Sequence, residues 1–390
     1  MFQKSVIDRH LKEIDKSVLE AKFQAFQSTF ANSAKQKNIR ASKEEQYQEG
    51  FIRDLFCTVL GYTIKPDANY NIFTEAKNDV KDKSNSKKAD AAICEENNEE
   101  KIRAVIELKG TNTTDLDKVA FQAFSYKNFH SGCSYVIVSN FERLRFYVDV
   151  QSDYVEFNLF DIAKSKSDLF STAKENFSLL YLLLSFESIK SDVPLKMKME
   201  TVSEENEITD KFYRDYSNFK RALFADIVER NSDSNRLTLF KKTQKLLDRI
   251  IFIRFCSDRG LLPTNSVAGI IADWKQLKKL GYPQPLYSLF KTFFERINHG
   301  FVNEDDHSRD VFAYNGGLFK TDDILDAIEI GDDVLKENCE KIAQYDFESQ
   351  ISVDILGRIF ENSLTEIEEV QAELTSPPNP LSESTRGNRE

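Results

Sequence analysis

ADAAICEENNEEKIRAVIELK, residues 89–109, is the stretch on which the reading of this chain turns. Ala89–Cys94 and Arg103–Lys109 are short strand-forming runs, and the polar EENNEEK between them puts Asn97-Asn98 where a hairpin turn is made. Side chains alternate along a strand, so Ala104, Ile106 and Leu108 share one face while Val105, Glu107 and Lys109 share the other. Glu107 and Lys109 then lie about 6.6 Å apart on the same side, at a rise of about 3.3 Å per residue. The hairpin can bring Asp90 to that same end.

Two carboxylates that converge repel each other unless a cation lies between them. Magnesium suits carboxylate, carbonyl and water oxygens, and it also takes phosphate oxygens; manganese is a substitute. Asp90 and Glu107 are the expected metal ligands, with the Leu108 carbonyl as a third oxygen. Lys109 is expected to orient a nucleophile or offset charge in the transition state. The bland alternative is chance: D…ExK arises in many charged chains, where a lone ELK is a solvated strand edge.

Outward from the hairpin, residues 5–36 carry apolar side chains at helical spacing. S-K-E-E from Ser42 is a capping-box pattern that opens a helix to about Leu60, closed by Gly61. Residues 66–88 are polar and lysine-rich, a loop or weak strand. After the hairpin come a helix from Leu116 to about Phe129, an apolar strand at 134–139 and another at 144–148. Helix, hairpin, helix, strand, strand describes a mixed central sheet with flanking helices, an α/β (α+β) domain over residues 1–170.

From about residue 170 the pattern turns helical. FSLLYLLLSF (177–186) is a short apolar helix, and the polar residues 190–208 read as a linker. Helices are expected at 212–229, 237–256, 287–297, 322–344 and 349–374, giving an all-α domain over residues 171–374. TSPPNPLSESTRGNRE (375–390) has almost nothing to bury and reads as a disordered tail.

The order of a helix carrying Glu, a hairpin carrying Asp then ExK, a helix and a further strand resembles the PD-(D/E)xK nuclease superfamily. Ala89-Asp90 stands in place of its PD. The resemblance implies a further acidic residue from the preceding helix, Glu49 or, one turn earlier, Glu45. It also implies a supporting role for Gln122 in QAFSY (122–126). Gln122 reads equally as a helix polar residue at the edge of a core of Val119, Phe121 and Phe124.

Three later segments narrow the resemblance: QKLLDRIIFIRFCSDRGLLP (244–263), YNGGLF (314–319) and YDFESQISVDILGRIFENSL (345–364). They look like the helical connector of type IIG restriction–modification enzymes, in which such a nuclease is joined to an adenine methyltransferase and a target-recognition domain. From residues alone, Asp248, Arg249, Arg254, Asp258 and Arg259 are expected to form salt bridges that lock a bundle, and Gly316-Gly317 a tight turn with positive φ. No glycine-rich cofactor turn or Asn-Pro-Pro-Tyr motif occurs, so no S-adenosylmethionine site is expected in this chain, which reads as truncated before the methyltransferase.

Composition limits the alternatives. No apolar run reaches the roughly 20 residues of a membrane span. The 5 cysteines and 4 histidines lack metal-binding spacing, which fits a reducing cytoplasm. The net charge of −11 argues against a protein that coats nucleic acid, although residues up to about 170 are nearly balanced. Expected partners are double-stranded DNA and a separately encoded methyltransferase or specificity subunit. The competing reading is a catalytically idle DNA-binding or docking module.

Overall fold

The computed structural model describes residues 1–77, 88–164, 172–263, 266–314, 316–347, 351, 355–359 and 361. The chain divides into two compact units, Met1–Ser203 and Glu204–Glu390.

The first unit is mixed α/β. Helices α1 (Lys4–Leu11), α2 (Lys16–Phe30), α3 (Ser33–Ala41) and α4 (Glu44–Phe51) precede the sheet. The helical spacing of residues 5–36 is cut into separate helices because Asp15 and Asn32 each accept two backbone N–H groups and so cap a new start. Ser42 is not the cap of α4. Its hydroxyl donates to the Asn38 carbonyl, while the Lys43 N–H donates to the Gln46 side chain at 2.8 Å. After Phe51 the helix widens into a π-helical stretch, Ile52–Val59, and it ends at Gly61, whose φ of +86° favours glycine.

Strands β1 (Ile72–Lys77), β2 (Lys88–Glu95), β3 (Asn98–Leu108), β4 (Tyr135–Ser139), β5 (Arg143–Val148) and β6 (Tyr154–Asn158) form one sheet in the order β1-β2-β3-β4-β5-β6. Helix α5 (Leu116–Lys127) connects β3 to β4, the parallel pair, while the remaining neighbours are antiparallel. The hairpin turn is tighter than EENNEEK suggested. Asn97 turns at φ +58°, and β3 begins at Asn98. Its first turns of sequence are exposed and polar, so hydrophobic alternation does not reveal them.

Both faces of the sheet are covered. Ala91, Ile93, Ala104, Ile106, Leu108 and Ile137 pack with Phe23, Phe26, Phe30 and Phe51 of the N-terminal helices. On the opposite face, Val136, Val138 and Tyr147 meet Val119, Ala120, Ala123 and Phe124 of α5. The observed parity along β3 is the one that the sequence alternation predicts.

The unit boundary lies beyond residue 170. Helices α6 (Leu159–Lys164), α7 (Thr172–Leu184) and α8 (Phe186–Lys190) supply Leu159, Phe177, Leu180, Leu183 and Ile189 to the core under the sheet. The polar stretch 190–208 is no linker either, since α9 runs unbroken from Val193 to Arg230. A solvated helix face and a linker share a composition; only the buried Met197 and Thr201 tell them apart.

In the second unit, α10 (Arg236–Asp258), α11 (Ser266–Lys279), α12 (Leu286–His299), α13 (Asp323–Ala327) and α14 (Asp332–Ile342) surround a core centred on Leu246, Leu247, Ile250 and Ile251. Apart from one bridge between Phe301 and Val311, its described residues contain no β pairing. The expected helix at 322–344 breaks between α13 and α14. Most of the one expected at 349–374, and all of 375–390, lie outside the described residues.

Candidate active site

Register places the acidic groups before any side chain is considered. Ala91 pairs with Ile106 across the β2–β3 hairpin. One step further along, Asp90 falls opposite Glu107, on the face that α5 covers. Like charges directly opposed across a strand pair destabilise it. The chain nevertheless buries Glu107 to 1% exposure.

Lys109 lies at the centre of the arrangement. Its Nζ donates to Glu107 Oε1 at 2.9 Å, to the Leu108 carbonyl at 2.9 Å and to Glu44 Oε1 at 3.3 Å, and it stands 3.8 Å from Asp90 Oδ2. Asp90 Oδ2 also accepts the Leu108 N–H at 2.7 Å. Lys109 is held in turn by its own N–H, which donates to the Ser139 carbonyl at 2.8 Å. From α5, Gln122 Nε2 donates to Glu107 Oε1 at 2.7 Å and to the Tyr126 hydroxyl at 2.8 Å.

Glu107 therefore has one oxygen that accepts from both Lys109 and Gln122. The other, Oε2, is buried with no hydrogen-bond partner. An unfilled buried acceptor is costly, and Asp90 across the hairpin adds to the cost. Burial first, then Asp90, push the Glu107 carboxyl up to about 7, against the pull of Lys109. For Lys109 burial works in the opposite sense, but Glu107, Asp90 and Glu44 outweigh it and hold the ammonium above its ordinary range.

Asp90, Glu107, Lys109 and Gln122 thus come together. Glu49 does not: it is exposed and pairs with Arg53 at 3.0 Å. Glu45 is exposed as well. The acid that the preceding helix brings to the site is Glu44, in the first turn of α4, steadied by Gln48 at 3.3 Å. Sequence reading assumed that the helix met the sheet near its middle, whereas its N-terminal end does. Tyr126 was also missed, although its place one helical turn after Gln122 was a usable signal.

Phe121 corrects the expected core. Val119 and Phe124 are buried, but Phe121 is 72% exposed. The candidate group contains Asp90, Glu107 and the Leu108 carbonyl as oxygen donors. Among the described residues, no group of three or more His, Cys, Asp or Glu gathers closely enough to hold a metal ion by itself. Two carboxylates nevertheless suit magnesium, which keeps several of its waters. The unpartnered Glu107 Oε2 is the observation in favour of that fit.

The conserved-looking residues of the helical unit do other work. Arg249, 1% exposed, donates to the carbonyls of Leu318 at 2.9 Å and Lys320 at 2.8 Å. Arg254 donates to the Tyr345 carbonyl and to Asp258, each at 2.9 Å. Of the expected ion pairs only Arg254–Asp258 forms; Asp248 accepts from Gln244, and Arg259 from α10 reaches the Phe347 carbonyl. Gly316 has φ −87°, not a positive value. It is needed because a Cβ there would meet the Tyr314 ring at 2.1 Å.

No family model matches this chain, and no solved structure does. The sequence is similar to a Methanocaldococcus jannaschii protein described provisionally as a type II restriction enzyme and methyltransferase. The two are 22% identical over 239 residues, covering 51% of this chain. The match spans only 20% of that protein's length. Among the described residues no helix is long and apolar enough to cross a membrane.

Proposed function

We propose that the unit Met1–Ser203 is a magnesium-dependent DNA endonuclease of the PD-(D/E)xK kind, serving a restriction–modification system of type IIG character. The observation that carries this reading is the buried Glu107, opposed to Asp90, joined to Lys109 and Gln122, and left with one free oxygen. The similarity to a restriction enzyme and the mixed sheet with its β3–α5–β4 crossover support it.

Asp90, Glu107 and the Leu108 carbonyl would hold the magnesium, with manganese as a substitute. When bound, the ion supplies Lewis acidity to the scissile phosphodiester and lowers the pKa of nearby water. Gln122 fixes one oxygen of Glu107 and so directs the other towards the ligand position. Lys109, held by Glu107 and Glu44, keeps a protonated amine where water and phosphate meet and offsets the negative charge that develops there. Glu44 positions that amine.

The substrate would be double-stranded DNA. A separately encoded methyltransferase or specificity subunit is the partner that a restriction–modification role would require. A plasmid nicking assay with magnesium tests the reading. Wild type should cut, whereas folded Lys109→Ala should not; equal cutting by both would remove the assignment. The second reading, an idle DNA-binding or docking module, has one observation in its favour: Lys109 already neutralises Glu107 through a direct ion pair. It expects salt-dependent DNA binding with no cleavage at any metal concentration.

A further inference from the structure

The outward face of α5 is unusual for a helix that covers a sheet. Leu116, Val119, Ala120, Ala123, Phe124 and Tyr126 point inward and are buried. Along the opposite stripe, at spacings of three and four residues, lie Lys118, Phe121, Gln122, Ser125 and, just past the helix end, Phe129. Phe121 is 72% exposed and Phe129 50%, while the Lys118 side chain is 88% exposed.

Single exposed apolar residues are common and need no explanation. The position of Phe121 gives it one. It directly precedes Gln122, whose amide touches the buried Glu107 at 2.7 Å. Any polymer that delivers a phosphate to Lys109 and Glu107 must therefore pass along this stripe. Lys118, one turn before Phe121, supplies positive charge there, although it shares its ammonium with Asp115 at 3.4 Å.

We infer that the outward face of α5 is a DNA-contact surface, in which Phe121 packs against a base or base step of the duplex and Lys118 meets the adjoining phosphate. This rests on the nuclease reading above and adds to it the element that seats the substrate. A phenyl ring offers no hydrogen bond, so its contribution is independent of base identity: stacking, or wedging at a step already easy to unstack. Phe121 is then a positioning residue. It sets where the phosphate sits, without touching the reacting atoms.

The experiment uses the full chain, a supercoiled plasmid for cleavage and a short mixed-sequence duplex containing 2-aminopurine for binding. Phe121→Ala is expected to raise KM and weaken duplex binding on the order of tenfold, with kcat much less affected. Phe121→Trp is expected to restore both. Wild-type binding should brighten the 2-aminopurine by unstacking it, and Phe121→Ala should not. Because the ring is exposed, these variants should fold normally, which circular dichroism checks. Wild-type-like cutting and binding by Phe121→Ala would overturn the inference and leave the nuclease reading standing. If wild type neither binds nor cuts DNA under conditions where it is folded, both fall together.

Discussion

Two regions of this chain bury charge, and they satisfy it in opposite ways. In the helical unit, the Arg249 guanidinium is closed in by the carbonyls of Leu318 and Lys320 and stacked over Phe294 at 4.9 Å. Its donors are used on backbone, and they fasten the 314–320 segment to α10. In the sheet unit, Glu107 is just as buried, yet one of its oxygens has no partner and its neighbour across the hairpin is another carboxylate. A buried charge saturated by backbone stabilises a fold. One left short of a partner beside a like charge destabilises it, and such sites are where chemistry is to be sought. Burial alone does not separate the two; the state of the last lone pair does.

The comparison can be broken most decisively at the acidic site. If the deficit at Glu107 serves catalysis, Glu107→Ala should lower plasmid cleavage by about a thousandfold or more, the scale of losing a group that acts in the transition state. A fully active variant would make Glu107 merely structural. The arginine should behave in the contrary manner. Arg249→Met leaves two buried carbonyls without donors and should cost about 2–4 kcal/mol. Trp274, the single tryptophan and a buried member of the same core, provides the signal in a urea titration. An unchanged midpoint would refute the latch.

A smaller effect of opposite sign should appear in Glu107→Gln. Because the folded-state pKa of Glu107 is raised to about 7, the folded chain holds this proton more tightly than the unfolded chain. Its stabilising contribution is complete below the ordinary glutamate pKa and is lost as pH rises towards 7. Glutamine removes that loss, so the variant should be more stable than wild type by about 2 kcal/mol at pH 8, the scale of a pKa shift of this size. The advantage should vanish near pH 4. Thermal unfolding followed by circular dichroism at both pH values tests this, and a pH-independent difference would show that Glu107 is ordinarily ionised.

The smallest contrast lies on α4. Glu44→Gln loosens Lys109 and should reduce cleavage about tenfold, the scale of one charge-assisted contact. Glu49→Gln removes an exposed pair with Arg53 and should change neither cleavage nor stability beyond about 0.5 kcal/mol. Reversed results would return the helix acid to Glu49.

Much of the site was legible in the sequence because a strand has a period of two. That period fixed Glu107 and Lys109 on one side of β3 and Val105 with them, away from Ile106 and Leu108, before any coordinates. Gln122 was legible for the same kind of reason, being one polar residue on a helix whose inner face is apolar. Glu44 was not, because several acids follow one another at 44, 45 and 49, and periodicity does not say which end of a helix meets a sheet edge. The hidden half of β3, Glu99–Lys101, is exposed on its hairpin arm and carries no apolar alternation.

What the sequence determined by itself is local: hairpin parity, helix stripes, and the glycine caps at Gly61 and Gly260, both at positive φ. Tertiary structure alone decided the remainder. It brought residue 44 to residue 109, turned Phe121 outwards, drew residues 172–203 into the first unit, and chose carbonyls over carboxylates as partners for Arg249. Each of these depends on which distant surfaces meet, and burial against a distant partner is an energy that no window of neighbouring residues contains.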